Sequence, residues 1–255
     1  MAEGASLFRP TGPLPALLLV GGGRMGSAML AGSKVEVVTA FGEIPDGFTP
    51  DAVILAVKPQ MAARALPEYA RYAGRAVFIS IMAGKSLKSI GSMLGTRAAI
   101  VRAMPNTPAA VRLGFTVAVA GAHVSAPQRD LADGLLKAAG EVAWVADEDL
   151  LDPVTAISGG GPAYVFLLTE LMEQAAIAQG IPHDLARAMA RKTVIGSGAL
   201  LAASEEDAAN LRIAVTSPKG TTEQALAVLR ADGAWPEIFA NAIEAATKRS
   251  RELSE

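Results

Sequence analysis

Leu17-Leu18-Leu19-Val20-Gly21-Gly22-Gly23-Arg24-Met25-Gly26 is the stretch that decides the fold. Four apolar residues read as a buried strand, and the glycines at 21, 23 and 26 complete a G-x-G-x-x-G pattern ahead of a helical run over Met25–Ala31. Each glycine has a mechanical reason. Gly21 permits the tight turn, Gly23 lets the backbone approach a pyrophosphate, and Gly26 lets the helix sit close to the strand. The helix N-terminus offers free N–H groups and a partial positive charge to phosphates. The bland alternative is a glycine-rich turn with no ligand. A P-loop is excluded, because no Gly-Lys-Ser/Thr closes the turn.

Outward from this turn, short apolar runs alternate with helical patterns. Leu17–Val20, Val35–Thr39, Ala52–Val57, Ala76–Ile81, Ala99–Arg102 and Thr116–Val119 read as strands. Met25–Ala31, Gln60–Tyr72, Ser86–Leu94 and Ala126–Ala139 read as helices between them. That alternation predicts an α/β fold, a Rossmann-type doubly wound, mostly parallel sheet. After Asp152 only helical signals remain. Pro162 opens a helix to Gln179 ended by Gly180, and Asp184 can cap a second reaching Ala203. Ser204 with Asp207, and Thr221 with Gln224, resemble capping boxes, and Pro236 suits the first turn of a last helix. The expected division is a dinucleotide-binding domain over 1–150, with 1–15 a tail, and an all-helical domain over 151–255.

Composition narrows the function. The chain is 51% hydrophobic and 19% charged, which supplies a core and hints that a partner subunit covers apolar surface. A net charge of -2 steers it toward neither nucleic acid nor an anionic membrane. The lack of cysteine excludes disulfides, thiolate zinc sites and a cysteine nucleophile, and fits a reducing cytoplasm. No apolar run reaches the roughly 18 residues of a membrane span. Leu14–Val20 reads as a first buried strand rather than a signal peptide, since only Arg9 precedes it and a glycine-rich turn follows at once. His123 and His183 read as surface residues, and no HExxH, GxSxG or metal-ligand cluster is present, so no metal is expected.

Further loops carry chemistry. The acidic residue expected about 20 positions past the glycine turn is missing; Thr39-Ala40-Phe41-Gly42 stands there and Glu43 comes late. This favours the 2′-phosphorylated cofactor NADP over NAD, with Arg24 either serving a phosphate or standing as an exposed arginine with no specific role. Val57-Lys58-Pro59-Gln60 and Met104-Pro105-Asn106-Thr107-Pro108 follow strands, where ligands bind in such sheets. Asn106 and Thr107 offer an amide and a hydroxyl to a nicotinamide or ribose; plain proline turns are the alternative. Ser158-Gly159-Gly160-Gly161-Pro162-Ala163-Tyr164 and Thr216-Ser217-Pro218-Lys219-Gly220-Thr221-Thr222 each lead into a helix. Three successive glycines are entropically costly, so bare backbone must be needed there. Structural capping explains either loop alone, whereas the two together suggest a small anionic substrate held by backbone and hydroxyls. Glu170 can orient the first loop or pair with its neighbours. Hydride transfer tolerates this lack of strong acids if the acceptor is an iminium carbon, already positively charged.

In order along Leu17–Leu253, the runs Gly21–Gly26, Ala56-Val57-Lys58-Pro59-Gln60, Met104–Pro108, Ser158–Tyr164 and Thr216–Thr222 resemble pyrroline-5-carboxylate reductases. The resemblance implies an oxidoreductase of amino-acid biosynthesis that reduces 1-pyrroline-5-carboxylate to L-proline, the last step of proline biosynthesis, with NADP as cofactor or else NAD. It also implies a cytoplasmic homodimer joined through the helical domain, with larger rings of dimers common. By motif, Gly21, Gly23, Arg24 and Met25 hold the pyrophosphate, beside Gly26. Ala56, Lys58 and Pro59 line the adenosine and ribose side, and Asn106 and Pro108 sit by the nicotinamide. Ser158, Gly159, Gly160, Gly161, Ser217, Lys219, Gly220, Thr221 and Thr222 bind the substrate, and the hydroxyls of Ser158, Thr221 and Thr222, or solvent, are the proton-donor candidates.

The chain departs from the family pattern at three places. Gly26 and Asp51 are only 25 positions apart, which shortens the region that reads the 2′-phosphate. Gly160 stands where serine is usual, and Lys219 where glycine is usual. Other readings stay beside this one. A related reductase acting on another imine or a 3-hydroxy acid would want a catalytic lysine or histidine, and Lys192 with Arg191 and Thr193 makes no such set. A dinucleotide-binding sensor without turnover would bind nucleotide and reduce nothing. A purely structural helical dimer leaves the glycine loops unexplained.

Overall fold

The computed structural model describes residues 14–23, 25–27, 36–39 and 44–254. Arg24, Val35, Glu43, the tail over 1–13 and the second half of the Met25–Ala31 run lie outside the described residues. Seven strands form one sheet, in the order β2-β1-β3-β4-β5-β6-β7. They are β1 Ala16–Val20, β2 Glu36–Thr39, β3 Ala52–Leu55, β4 Val77–Ser80, β5 Ala99–Met104, β6 Gly114–Ala120 and β7 Gly140–Val145. All neighbours pair parallel except β5 with β6.

The register explains the apolar runs. In β1, Leu17 and Leu19 belong to the core on one face, with Ile54, Ile79 and Val101. Leu18 and Val20 belong to the core on the other, with Val53, Phe78, Leu66 and Ile90. A strand covered on both faces must be apolar at every position, and β3 and β4 are buried along their whole length. The seventh strand was not among those expected. It is a partly covered edge strand that follows the preceding helix after a short turn, and its short apolar run, Val142-Ala143-Trp144-Val145, is only half-buried. Its Trp144 lies under the Arg129 guanidinium at 4.6 Å and donates its indole N–H to Asp133. Gly140, at φ 145, fixes the start of β7: a Cβ there would stand 2.0 Å from the Gly114 carbonyl oxygen.

The helices fall near their expected places, with different ends. Gln60–Tyr72 is wound mainly as 3₁₀ turns, Pro59–Met61 and Leu66–Tyr72, around the short α1 Ala62–Ala65. Pro67 removes a donor in its middle. Ser86 caps α2 Leu87–Leu94, and Ser125 with Gln128 forms a true capping box for α3 Ala126–Lys137. After β7 come a 3₁₀ turn Glu148–Leu150, α4 Leu151–Val154 and a π-helical turn Thr155–Gly159.

By packing, the chain forms two units, one of 1–160 with 245–255 and the other of 161–244. The second consists of α5 Gly161–Ala178, α6 His183–Ala203, α7 Ala208–Ala214, α8 Thr221–Leu229 and the first part of α9 Trp235–Ser254. Gly180 ends α5 with φ 85, as expected. The expected side-chain caps do not form. Pro182, Asp207 and Gly220 take the N-cap positions of α6, α7 and α8, none with a side-chain cap bond. Ser204 Oγ instead accepts the Glu206 N–H. Asp184 lies within the first turn of α6, where its charge complements the helix dipole. Inside this unit Tyr164 and Phe239 meet edge to face at 5.8 Å. Among the described residues no helix is long and apolar enough to cross a membrane.

Candidate active site

The sheet order reverses beside β1, between the strands that follow it in sequence, and such switch points are where doubly wound sheets bind ligands. The glycine turn leaves β1 there, and Ala56 leaves β3 beside it, its N–H held by the Val20 carbonyl at 2.8 Å. The three pattern glycines are needed for different reasons. Gly21 has φ 108, and a Cβ would stand 2.4 Å from the Ala56 oxygen. At Gly26 a Cβ would meet the Ala56 methyl at 2.9 Å and Leu19 Cδ1 at 3.2 Å, so the helix can lie against the strand only without one. Gly23 is exposed, and the nearest atom to its missing Cβ is 3.9 Å away. No described protein atom requires glycine at 23, which leaves bare backbone for an incoming group. The turn therefore fits a pyrophosphate. Met25 packs half-buried against the core behind it. Lys58 is extended and exposed, and Pro59 starts the following 3₁₀ turn.

The loop after β5 is tied to the glycine-rich segment ahead of α5. Asn106 Oδ1 accepts the Phe115 N–H at 2.9 Å, and its Nδ2 donates to Ser158 Oγ at 3.2 Å. The Asn106 amide is thus turned inward, while Thr107 is exposed and Pro108 lies in the 3₁₀ turn Thr107–Val111. Ser158–Gly160 is not the open loop that three glycines suggest. It is wound as a π turn, with the Gly160 N–H donating to the Thr155 carbonyl, so that backbone donor is already used. Single π turns recur at functional sites. Gly159 faces Met104, whose Cε would lie 2.6 Å from a Cβ at that position. Gly160 has ordinary helical angles, φ -79 and ψ -24, which a serine could adopt.

In the second unit, the Gly220 N–H donates to the Ser217 carbonyl at 3.0 Å and α8 begins at Thr221. Lys219 has φ 59, a conformation that costs a side-chain-bearing residue about 1–2 kcal/mol. Its N–H donates to Glu223 Oε2 at 2.7 Å, which holds the strained turn. Ser217, Lys219, Thr221 and Thr222 are exposed. Glu170 accepts the Gln174 amide one turn on, the pairing with a neighbour that was its simpler reading.

A group absent from the sequence reading is the buried charge network of the first unit. Arg102, 5% exposed on β5, donates to Glu148 Oε1 at 2.8 Å and lies 4.0 Å from Asp152 Oδ1. The same Glu148 oxygen accepts the N–H of Leu87 at the start of α2, and Ser250 Oγ donates to Asp152 Oδ1 at 2.6 Å. An arginine inside Ala99-Ile100-Val101-Arg102-Ala103-Met104 was the available signal.

A doubly wound sheet with a ligand-ready glycine turn at its switch point, continued by helices, defines a Rossmann-type dinucleotide-binding protein. Residues 148–253 match the family description "Pyrroline-5-carboxylate reductase dimerisation". The chain is 39% identical over 213 residues to pyrroline-5-carboxylate reductase of Pseudomonas aeruginosa, covering 80% of this chain and 75% of that one. It is 41% identical over 203 residues to the Synechocystis enzyme of that name, with the same coverage. A solved pyrroline-5-carboxylate reductase from Coxiella burnetii superposes with a TM-score of 0.85 at 32% identity, over 94% of this chain and 99% of that one. Pyrroline carboxylate reductase of Plasmodium falciparum, solved with NADP bound, gives 0.82 at 26% identity, over 94% and 98%. The chain belongs to the pyrroline-5-carboxylate reductase family.

Proposed function

We propose that the chain reduces 1-pyrroline-5-carboxylate to L-proline with NADPH, or with NADH as the second cofactor. The observation that carries this reading is the Asn106–Ser158 hydrogen bond, which joins a loop assigned to the cofactor to a turn assigned to the substrate. Family membership over four-fifths of the chain supports the substrate class. Gly21, Gly23, Arg24, Met25 and Gly26 hold the pyrophosphate, with Ala56, Lys58 and Pro59 on the adenosine and ribose side and Asn106 and Pro108 toward the nicotinamide. Ser158, Gly159, Gly160, Gly161, Ser217, Lys219, Gly220, Thr221 and Thr222 hold the carboxylate and ring. When bound, the reduced nicotinamide supplies a hydride to the electron-poor imine carbon. The ring nitrogen gains its proton from a hydroxyl of Ser158, Thr221 or Thr222, or from water. Positioning rather than strong acid catalysis then sets the rate.

The functional division lies near residue 150, between a dinucleotide-binding domain and a helical one, a reading supported by the family match beginning at residue 148. The chain works in the cytoplasm as a homodimer through its helical part, and as a ring of dimers. Supporting the dimer, Phe166, Ile195, Leu200 and Val228 are each at least 62% exposed. Between α5 and α6 runs a groove of about 650 Å³, where Val165, Phe166 and Ile195 stand beside charged residues that include Glu170, Glu173 and Arg187. So much exposed apolar surface is a liability unless a second copy covers it. Light scattering should give at least twice the 26.1 kDa chain mass, and a monomer at micromolar concentration would sink this assignment.

The first test of the reaction is the loss of reduced-nicotinamide absorbance with 1-pyrroline-5-carboxylate, NADPH and NADH side by side. Rapid oxidation only in the presence of the imine acid is expected, faster with NADPH. Nucleotide binding with no oxidation would move the assignment to a non-catalytic sensor or another substrate.

A further inference from the structure

We propose that Ser250, near the end of the last helix, is a positioning residue for the reduction: through Asp152 it sets the turn that presents the Ser158 hydroxyl. This rests on the assignment of Ser158 to the imine-acid site. Strand β5 and its loop are tied to the segment 148–158 at both ends. At one end Arg102 pairs with Glu148 and Asp152, and at the other Asn106 donates to Ser158 Oγ. Between them the segment is helical throughout, α4 passing into the π turn, with Thr155 Oγ1 donating to the Leu151 carbonyl at 2.6 Å. A shift at Asp152 is therefore carried along a stiff path to Ser158, six residues on.

Asp152 is held more closely by Ser250 than by Arg102. The Ser250 contact is a 2.6 Å hydrogen bond to a carboxylate oxygen, and the Arg102 contact is 4.0 Å. Glu148 already serves both Arg102 and the Leu87 N–H. Ser250 has little freedom of its own. Leu253, one turn further, lies against Gly84, which has φ 67 and where a Cβ would stand 2.7 Å from Leu253 Cβ. The helix end is thereby fitted to the loop after β4, and both Ser250 and Asp152 are buried.

The test is a double-mutant cycle in the full chain, with Ser250→Ala, Ser158→Ala and both together. Ser250→Ala should lower kcat for 1-pyrroline-5-carboxylate about fivefold, as expected for a coupled contact. The Kd for NADPH, read by fluorescence, should stay within about twofold. In the Ser158→Ala background the same change should alter kcat less than about twofold, because the group it positions is gone. Equal factors in both backgrounds would overturn the proposal. So would a lowered melting temperature with kcat unchanged, which would make Ser250 only a clamp on the last helix. A folded wild-type chain that binds NADPH without turnover would instead overturn the reading of the reaction, and this assignment with it.

Discussion

Gly23→Val is expected to weaken NADPH binding at least about 100-fold, roughly 2.7 kcal/mol, while leaving the melting temperature almost unchanged. The nearest atom to the missing Cβ is 3.9 Å away, and Gly23 is exposed, so a valine meets no described protein atom at its first carbon. Stability should therefore move by no more than about 0.5 kcal/mol. What the side chain does occupy is the approach to the backbone of the glycine turn, which a pyrophosphate needs at close range. The neighbouring Gly21 is the control. A Cβ there would be 2.4 Å from the Ala56 oxygen, with φ 108, so Gly21→Ala should damage the fold itself. Fluorescence titration of NADPH with both variants, beside thermal unfolding, separates the two roles. Unweakened binding by a folded Gly23→Val variant would remove the turn from the site.

That the glycine turn could be read at all reflects how local its signal is. Strand, glycines and helix lie within a dozen residues, and Gly21 and Gly26 answer to neighbours on β1 or just past β3. The alternation of buried strands and helices is likewise local, as is the passage to helices after residue 150. Features that depend on context were not legible. β7 is a half-buried edge whose short apolar run, Val142-Ala143-Trp144-Val145, does not by itself say whether it is strand or loop, and the triple glycine imitates a loop although it continues a helical path from Leu151. Asp184 and Thr221, polar residues near helix starts, suggest caps, but Pro182 and Gly220 take those positions. Asn106 meets Ser158 across 52 residues, Arg102 meets Glu148 across 46, and Ser250 meets Asp152 across 98. No periodicity encodes such pairs. The lone arginine in β5 shows only that a partner is required, without saying which.

Arg102→Ala should cost about 3 kcal/mol, at the lower end of the range for removing one partner of a buried ion pair. The size of the effect follows from what is left behind. The Arg102 side chain is 6% exposed, that of Glu148 26% and that of Asp152 12%. Glu148 keeps the Leu87 N–H and some access to water, and Asp152 keeps Ser250, so neither carboxylate is wholly orphaned. The truncation also removes buried volume on β5 opposite Val119 of β6, its partner in the strand register. For a chain of this size about 3 kcal/mol lowers the melting temperature by roughly 6–12 °C. Adding Glu148→Gln should recover part of that loss, because it removes the charge stranded by Arg102→Ala while its amide oxygen can still accept the Leu87 N–H. Differential scanning calorimetry of the single and double variants decides the matter. If Arg102→Ala costs less than about 1 kcal/mol, the network is too well solvated to bind β5 to the segment leading into Ser158. If Glu148→Gln deepens the loss instead of relieving it, the Leu87 bond to a charged oxygen outweighs the pairing with Arg102.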